Sequence, residues 1–269
     1  MTGAWEAPFD PLTICTPHQG KMTAEWHQMF GNLQKPPICL IINSAKLPVD
    51  CARDKMVYDA RKISEQNGHE GFPDIFFLDS DVLINTPDLL QLLSYDRYKY
   101  PIVSGLYWAK KGERCPAAWV LVKKEHDIES RYAPALVPDY GVVPNGSLME
   151  VHVVGAGCLL IRGEVFDKVP PPWFYFGTGR TQSIEVEDLG NGVKDVQTSE
   201  DYFPPYISES IKTPYGYIYG TDHKESEDFF FNLKCRDHGY KIWLDPNIRC
   251  QHECKAKMDA DGYPMIGAD

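Results

Sequence analysis

The feature that most limits what this chain can fold into is the alternation of two hydrophobic periods along its first hundred residues. Short apolar runs at Leu12 to Thr16, Ile38 to Asn43, Asp74 to Leu78 and Pro101 to Trp108 read as buried strands. Between them, apolar residues recur at helical spacing: Trp26, Met29, Phe30 and Leu33 within Thr23 to Leu33, and Met56, Val57, Ala60 and Ile63 within Val49 to Gln66, where Gly68 stops the helix. Thr86 and Pro87 suit the opening of a third helix as cap and first-turn proline, with Leu89, Leu90, Leu92 and Leu93 as its apolar side. Strands and helices taken in turn imply an α/β domain on a mainly parallel sheet, with ligands at the carboxyl ends of its strands.

The second half keeps a weaker rhythm. Glu150 to Ile161 reads as one long strand, Ser226 to His238 as a helix with Phe230, Leu233 and Lys234 on one side and Gly239 as its stop, and Lys241 to Leu244 as a last strand. Pro170 to Pro214 is rich in Pro, Gly and acidic residues and lacks a sustained period, so it reads as a long loop of the kind that covers a site. The 269 residues are enough for one large domain with a buried core.

Composition narrows the function. The 38 acidic side chains outnumber the 27 basic ones, for a formal charge of −11, and such a surface repels a phosphate backbone, so general nucleic-acid binding is not expected. No apolar run approaches the roughly 20 residues of a bilayer crossing, so no transmembrane segment is expected. Met1 to Asp10 lacks a basic and apolar leader, and the eight cysteines are scattered without a CxxC pair, which points to reduced thiols and a cytoplasmic location.

Phosphate-binding loops are poorly represented. Gly20-Lys21 would need a glycine where Cys15 stands, and Gly155-Ala156-Gly157 lacks the third glycine of a dinucleotide fingerprint, its small residues instead allowing close backbone approach. Phe76-Phe77-Leu78-Asp79-Ser80-Asp81 is an apolar strand ending in two carboxylates. In extended chain these face the same way and can converge on one cation, although a capped turn at Asp81 beside a solvated Asp79 explains the same letters. Glu227-Asp228 after Ser226 is either a second chemical pair or a first helical turn suited to the dipole. Two further readings stand beside these. Cys250, His252 and Cys254 alternate on one strand face, with Cys235 and His238 nearby, as a structural zinc site would use. Trp108, Trp119, Trp173 and Tyr175 offer rings to a carbohydrate-binding module without catalysis.

Taken in order, Thr16-Pro17, Ala52-Arg53-Asp54, Phe77-Leu78-Asp79-Ser80-Asp81, Gly155-Ala156-Gly157, Ser226-Glu227-Asp228 and Gly239 through His252 resemble the GT-A glycosyltransferases, in particular the family-two-like group with an Asp-x-Asp metal motif. The resemblance implies a single Rossmann-like GT-A domain over residues 1–269, with a nucleotide-sugar-binding half at 1–106 and an acceptor half at 107–269 under a mobile loop at 177–214. It implies manganese or magnesium on Asp79, Asp81 and His252, and a nucleotide diphosphate sugar, UDP favoured, against Thr16, Pro17, Asn43, Arg53, Asp79, Ser80 and Asp81. Asp228 would be the general base that deprotonates a hydroxyl acceptor in an inverting transfer, with Glu227 beside it. A retaining transferase of the same fold would keep the metal site.

Overall fold

In a computed structural model the described residues are 11–18, 22–45, 47–108, 116–122, 131–134, 148–175, 211–212, 218–219, 226–252, 257–258 and 264–265. The proposed cover at 177–214 lies outside them except for a two-residue strand.

The first half follows the expected alternation: β1 (Leu12–His18), α1 (Ala24–Asn32), β2 (Cys39–Ala45), α2 (Val49–Gln66), β3 (Asp74–Leu78), β4 (Val82–Leu83), α3 (Thr86–Ser94) and β5 (Ile102–Leu106). The second half adds β6 (Ala118–Val122), β7 (Arg131–Pro134), β8 (Met149–Val151), β9 (Val153–Val154), β10 (Cys158–Ile161), α4 (Gly163–Lys168), β11 (Ile211–Lys212), β12 (Ile218–Tyr219), α5 (Glu227–Asp237), β13 (Ile242–Arg249), β14 (Gln251–His252), β15 (Lys257–Met258) and β16 (Pro264–Met265).

Seven strands form the central sheet in the order β2-β1-β3-β10-β5-β13-β8. Pairings of β1 with β2 and β3, and of β5 with β13, are parallel, while β10 and β8 run against their neighbours. Strands from both halves of the chain therefore complete one mixed sheet, the α/β arrangement expected from the pattern. Alternation of side chains divides the core between its faces. Cys15 and Phe77 join Met56, Ala60, Phe166 and Phe231 on one face, and Ile14 and Phe76 join Leu89, Leu92 and Val103 on the other. All five residues of β3 are buried, and each of its four large apolar side chains, Ile75 to Leu78, contributes about 1.5–3 kcal/mol.

Three local readings are corrected. Glu150 to Ile161 is not one strand: it breaks into β8, β9 and β10, because Gly155–Gly157 turns between two sheets. The N-cap of α3 is Asn85, whose side chain accepts from the Asp88 N–H at 2.8 Å, while Thr86 Oγ1 accepts from the Gln34 N–H at 3.0 Å. The proposed long loop starts in ordered chain, since Trp173 and Phe174 are core residues and their N–H groups donate to Asp54 Oδ1 at 2.9 and 2.7 Å. Gly239 does end α5, with φ at +84°. Among the described residues no helix is long and apolar enough to cross a membrane.

Candidate active site

The carboxyl ends of β1, β2 and β3 lie side by side, with Thr16 beside Asn43 and Pro17 beside Ser44 in register. Thr16 is buried, and its hydroxyl has no hydrogen-bond partner. Beyond β3 the backbone does not stay extended. The Val82 N–H donates to the Asp79 carbonyl at 3.0 Å, so Asp79 to Val82 form a turn with Ser80 and Asp81 in its middle. Strand alternation does not extend to Asp81, and here the two carboxylates have different partners.

Asp79 Oδ1 meets Arg53 Nη2 at 2.9 Å. Arg53 projects from α2 with only 2% exposure, and its other terminal nitrogen donates to Asp228 Oδ1 at 3.0 Å and to Glu227 Oε1. One guanidinium thus joins both acidic motifs, 26 and 175 residues away in sequence. Its Cζ lies 5.9 Å from the Phe77 ring centroid and 5.8 Å from that of Phe174, two rings that meet edge to face 5.1 Å apart and together flank the guanidinium on one side. Burial works against the charge of Arg53, but Asp79, Asp228 and Glu227 more than offset it and raise its pKa further.

Asp228 opens α5 beside Glu227, with Ser226 as the N-cap residue. Burial, reinforced by Glu227 and opposed by Arg53, pushes its carboxyl up to about 8. A carboxyl held that high is poised to exchange a proton near neutral pH. It also accepts a backbone hydrogen bond from Ala156.

Asp81 faces His252 across the β4–β14 ladder, with Asp81 Oδ1 3.3 Å from His252 Nε2. His252 Nδ1 lies 2.6 Å from the Trp108 carbonyl oxygen. A carbonyl can only accept, so Nδ1 carries the hydrogen, and in the neutral ring Nε2 turns its lone pair toward the carboxylate. Two lone-pair donors at that separation repel unless a proton or a metal cation lies between them. A carboxylate and an imidazole lone pair so placed are side-chain types that could hold a divalent cation. Among the described residues no three His, Cys, Asp or Glu side chains stand together as a metal-binding group, and Asp79 is engaged by Arg53.

The zinc reading is not supported by this geometry. Cys235 and Cys250 lie in different core clusters, His238 binds the Lys234 carbonyl at 2.8 Å, and Cys254 falls outside the described residues. Of the four aromatics set aside for sugar stacking, Trp173 is core, Trp119 packs on Phe229, Tyr175 packs on Phe230, and Trp108 is exposed.

Comparison with solved structures bears on the sheet that carries this cleft. A structure described as A197 from STIV aligns over 96% of this chain and 95% of its own, with a TM-score of 0.51 and 14% identity. The likeness is one of fold. It supports the α/β architecture built on a mixed central sheet and says nothing of the reaction. A glycosyltransferase involved in the glycosylation of the major capsid of PBCV-1 aligns over 58% of this chain and 62% of its own at 10% identity, with a TM-score of 0.27, too low to argue from. No protein-family model and no curated protein matches the chain.

Sequence reasoning missed Tyr107, Asn232 and Trp26 as parts of the site. The Trp26 indole N–H donates to the Asp79 carbonyl at 3.1 Å, and Asn232 ties Val154 to the first turn of α5 through bonds to the Val154 and Asp228 carbonyls at 2.8 and 2.6 Å. One signal for Arg53 was available. Residues 53, 57, 60 and 64 form a single helical stripe, all buried, so an arginine at its head required buried counter-ions.

Proposed function

We propose that the protein transfers a sugar from a nucleotide diphosphate donor, UDP favoured, to a hydroxyl acceptor, with Asp228 as general base. The observation that carries this reading is the meeting of Asp79, Glu227 and Asp228 on Arg53, beside the Asp81–His252 pair, at the carboxyl end of the sheet. A transfer needs charge stabilisation on the leaving diphosphate and a base for the incoming hydroxyl, and the cleft contains candidates for both.

Asp81 and His252 would hold manganese or magnesium, which when bound supplies Lewis-acid stabilisation to the diphosphate. Asp79 then contributes by fixing Arg53 as well as by its charge. In this reading Thr16, with its unpaired hydroxyl, and the neighbouring Pro17 and Asn43 would meet the nucleoside, and Ser80 the phosphates. Asp228 takes the acceptor proton on the side away from the leaving group, giving inversion, while Glu227 and Arg53 hold its carboxylate in place.

A panel of nucleotide sugars with manganese tests this reading. The matching donor should be slowly hydrolysed or transferred, and at one hundred times its dissociation constant it should stabilise the fold by about 2.7 kcal/mol. For a chain of this size that is a rise of about 5–10 °C in Tm. A panel with neither a shift nor turnover would refute the proposal.

A further inference from the structure

Gly155-Ala156-Gly157 forms a short turn between β9 and β10; the Gly155 N–H donates to the Ala117 carbonyl at 2.8 Å, and three further hydrogen bonds leave the turn for different parts of the cleft. The Asp79 N–H donates to the Gly157 carbonyl at 3.0 Å, the Ala156 N–H donates to the Asp228 carboxylate, and the Gly157 N–H donates to the Tyr107 hydroxyl at 2.9 Å. The turn therefore touches both the Asp79 strand end and the candidate base. Tyr107 is what it rests on. A Cβ built on Gly155 would overlap the phenol oxygen and come within 2.9 Å of Cζ, and one on Gly157 would lie 2.8 Å from Cζ. The two glycines are thus explained by one buried phenol rather than by φ, since neither has a positive value. The same ring meets His252 edge to face, with centroids 5.4 Å apart.

We propose that Tyr107 is a positioning residue: its hydroxyl sets the height of the Gly155–Gly157 turn, which in turn aims the Asp228 carboxylate and the Asp79 strand end. This deepens the transferase reading and rests on it for its catalytic consequence. The physical argument is one of lever arms. A phenol oxygen fixed by burial of its own ring is a rigid support, and a turn with two residues lacking side chains follows it closely. Displacement of a base by about 1 Å can cost on the order of 100-fold in rate.

Tyr107→Phe keeps the ring and its contact with His252 and removes only the acceptor of the Gly157 N–H. Amide hydrogen exchange, turnover and donor KM would be measured on the whole chain. The expected result is faster exchange at Gly157 and, transmitted through the turn, at Ala156, with kcat reduced about 10- to 100-fold and donor KM changed less than about threefold. Gly155→Ala should displace the turn by steric overlap and reduce kcat similarly. Adding Tyr107→Phe to it should recover part of that loss, because the overlapping oxygen is gone. Faster exchange at Gly157 alone, with Ala156 unchanged, would overturn the proposal regardless of activity, as would normal kcat in Tyr107→Phe or an additive double variant. A wild type inactive on every donor, with Ala156 responding to Tyr107→Phe, would overturn the transferase reading and leave the positioning of Asp228 intact.

Discussion

Replacing Arg53 by methionine tests how the cleft is held together. The guanidinium is 2% exposed, and the side chains it joins are 27%, 9% and 19% exposed for Asp79, Glu227 and Asp228. Removing one partner of a buried ion pair typically costs about 3–5 kcal/mol, because the remaining charge is left without compensation. Water reaches Asp79 and Asp228, which places the expectation near the lower end, about 3 kcal/mol at pH 8. For a chain of this size that is a fall of about 6–12 °C in Tm by circular dichroism. The loss should depend on pH with a definite sign. Arg53 opposes the upward shift of Asp228, so without it the folded-state pKa of that carboxyl rises further, the folded chain binds more protons than the unfolded one, and the penalty grows as pH rises. At pH 5 it should shrink to less than about half. Arg53→Lys should restore only part of the stability, since an ammonium cannot span Asp79 on one side and the acidic pair on the other. A change under about 2 °C at pH 8, or a loss independent of pH, would refute the account of Arg53 as the shared counter-ion.

Four other outcomes follow from the same geometry. Asp228→Asn should lower turnover by about 10² to 10⁴ while UDP binding with manganese, measured by titration calorimetry, stays within about threefold. Asp81→Asn and His252→Ala should each weaken that binding, and wild-type affinity in both would remove them as cation ligands. In the wild type, burial raises Asp228 to about 8 and Asp54 to about 7, above their unfolded values, so the stability tied to these protons is complete at acid pH and is lost as pH rises toward 8; a Tm rising between pH 5 and 8 would contradict it. Gly239→Ala, at φ +84° in open space, should cost about 1 kcal/mol, or about 2–4 °C, with nucleotide binding unchanged.

Why the sheet was legible in the sequence and the site was only half so follows from what each depends on. Phe76 and Phe77 are buried on opposite faces whatever lies beyond, so an uninterrupted apolar run was enough to place β3. Burial of Met56, Val57 and Ala60 likewise needed only the helical period. The course of Asp79 to Asp81, by contrast, is decided by partners remote in sequence: the Trp26 indole and Val82 N–H on the Asp79 carbonyl, and the Gly157 carbonyl on its N–H. Alternation rules assume a continuing ladder, and β3 has none past Leu78. The break in Glu150 to Ile161 has the same origin, since Asn232 draws Val154 toward α5 and away from the central sheet.

The residue types that carry chemistry were therefore visible while their division of labour was not. A pair of carboxylates spaced for one cation became one carboxylate on an arginine and another on a histidine, and that separation has a physical use. If Asp79 faced His252 instead, Arg53 would keep only Glu227 and Asp228, which share its Nη1 while Asp79 takes Nη2. With Asp79 on the far side of the fork, the guanidinium is held from both ends and cannot swing with the base. The orientation of Asp228 is then tied to the chain that leads from Asp79 to Asp81, so the proposed base and the proposed cation ligands share one short turn. Lengthening that turn by one glycine between Ser80 and Asp81 should uncouple them: Arg53 keeps its partners and the fold its Tm within about 3 °C, whereas manganese-dependent UDP binding is lost. Retained binding would show that Asp81 is not held in register by the turn.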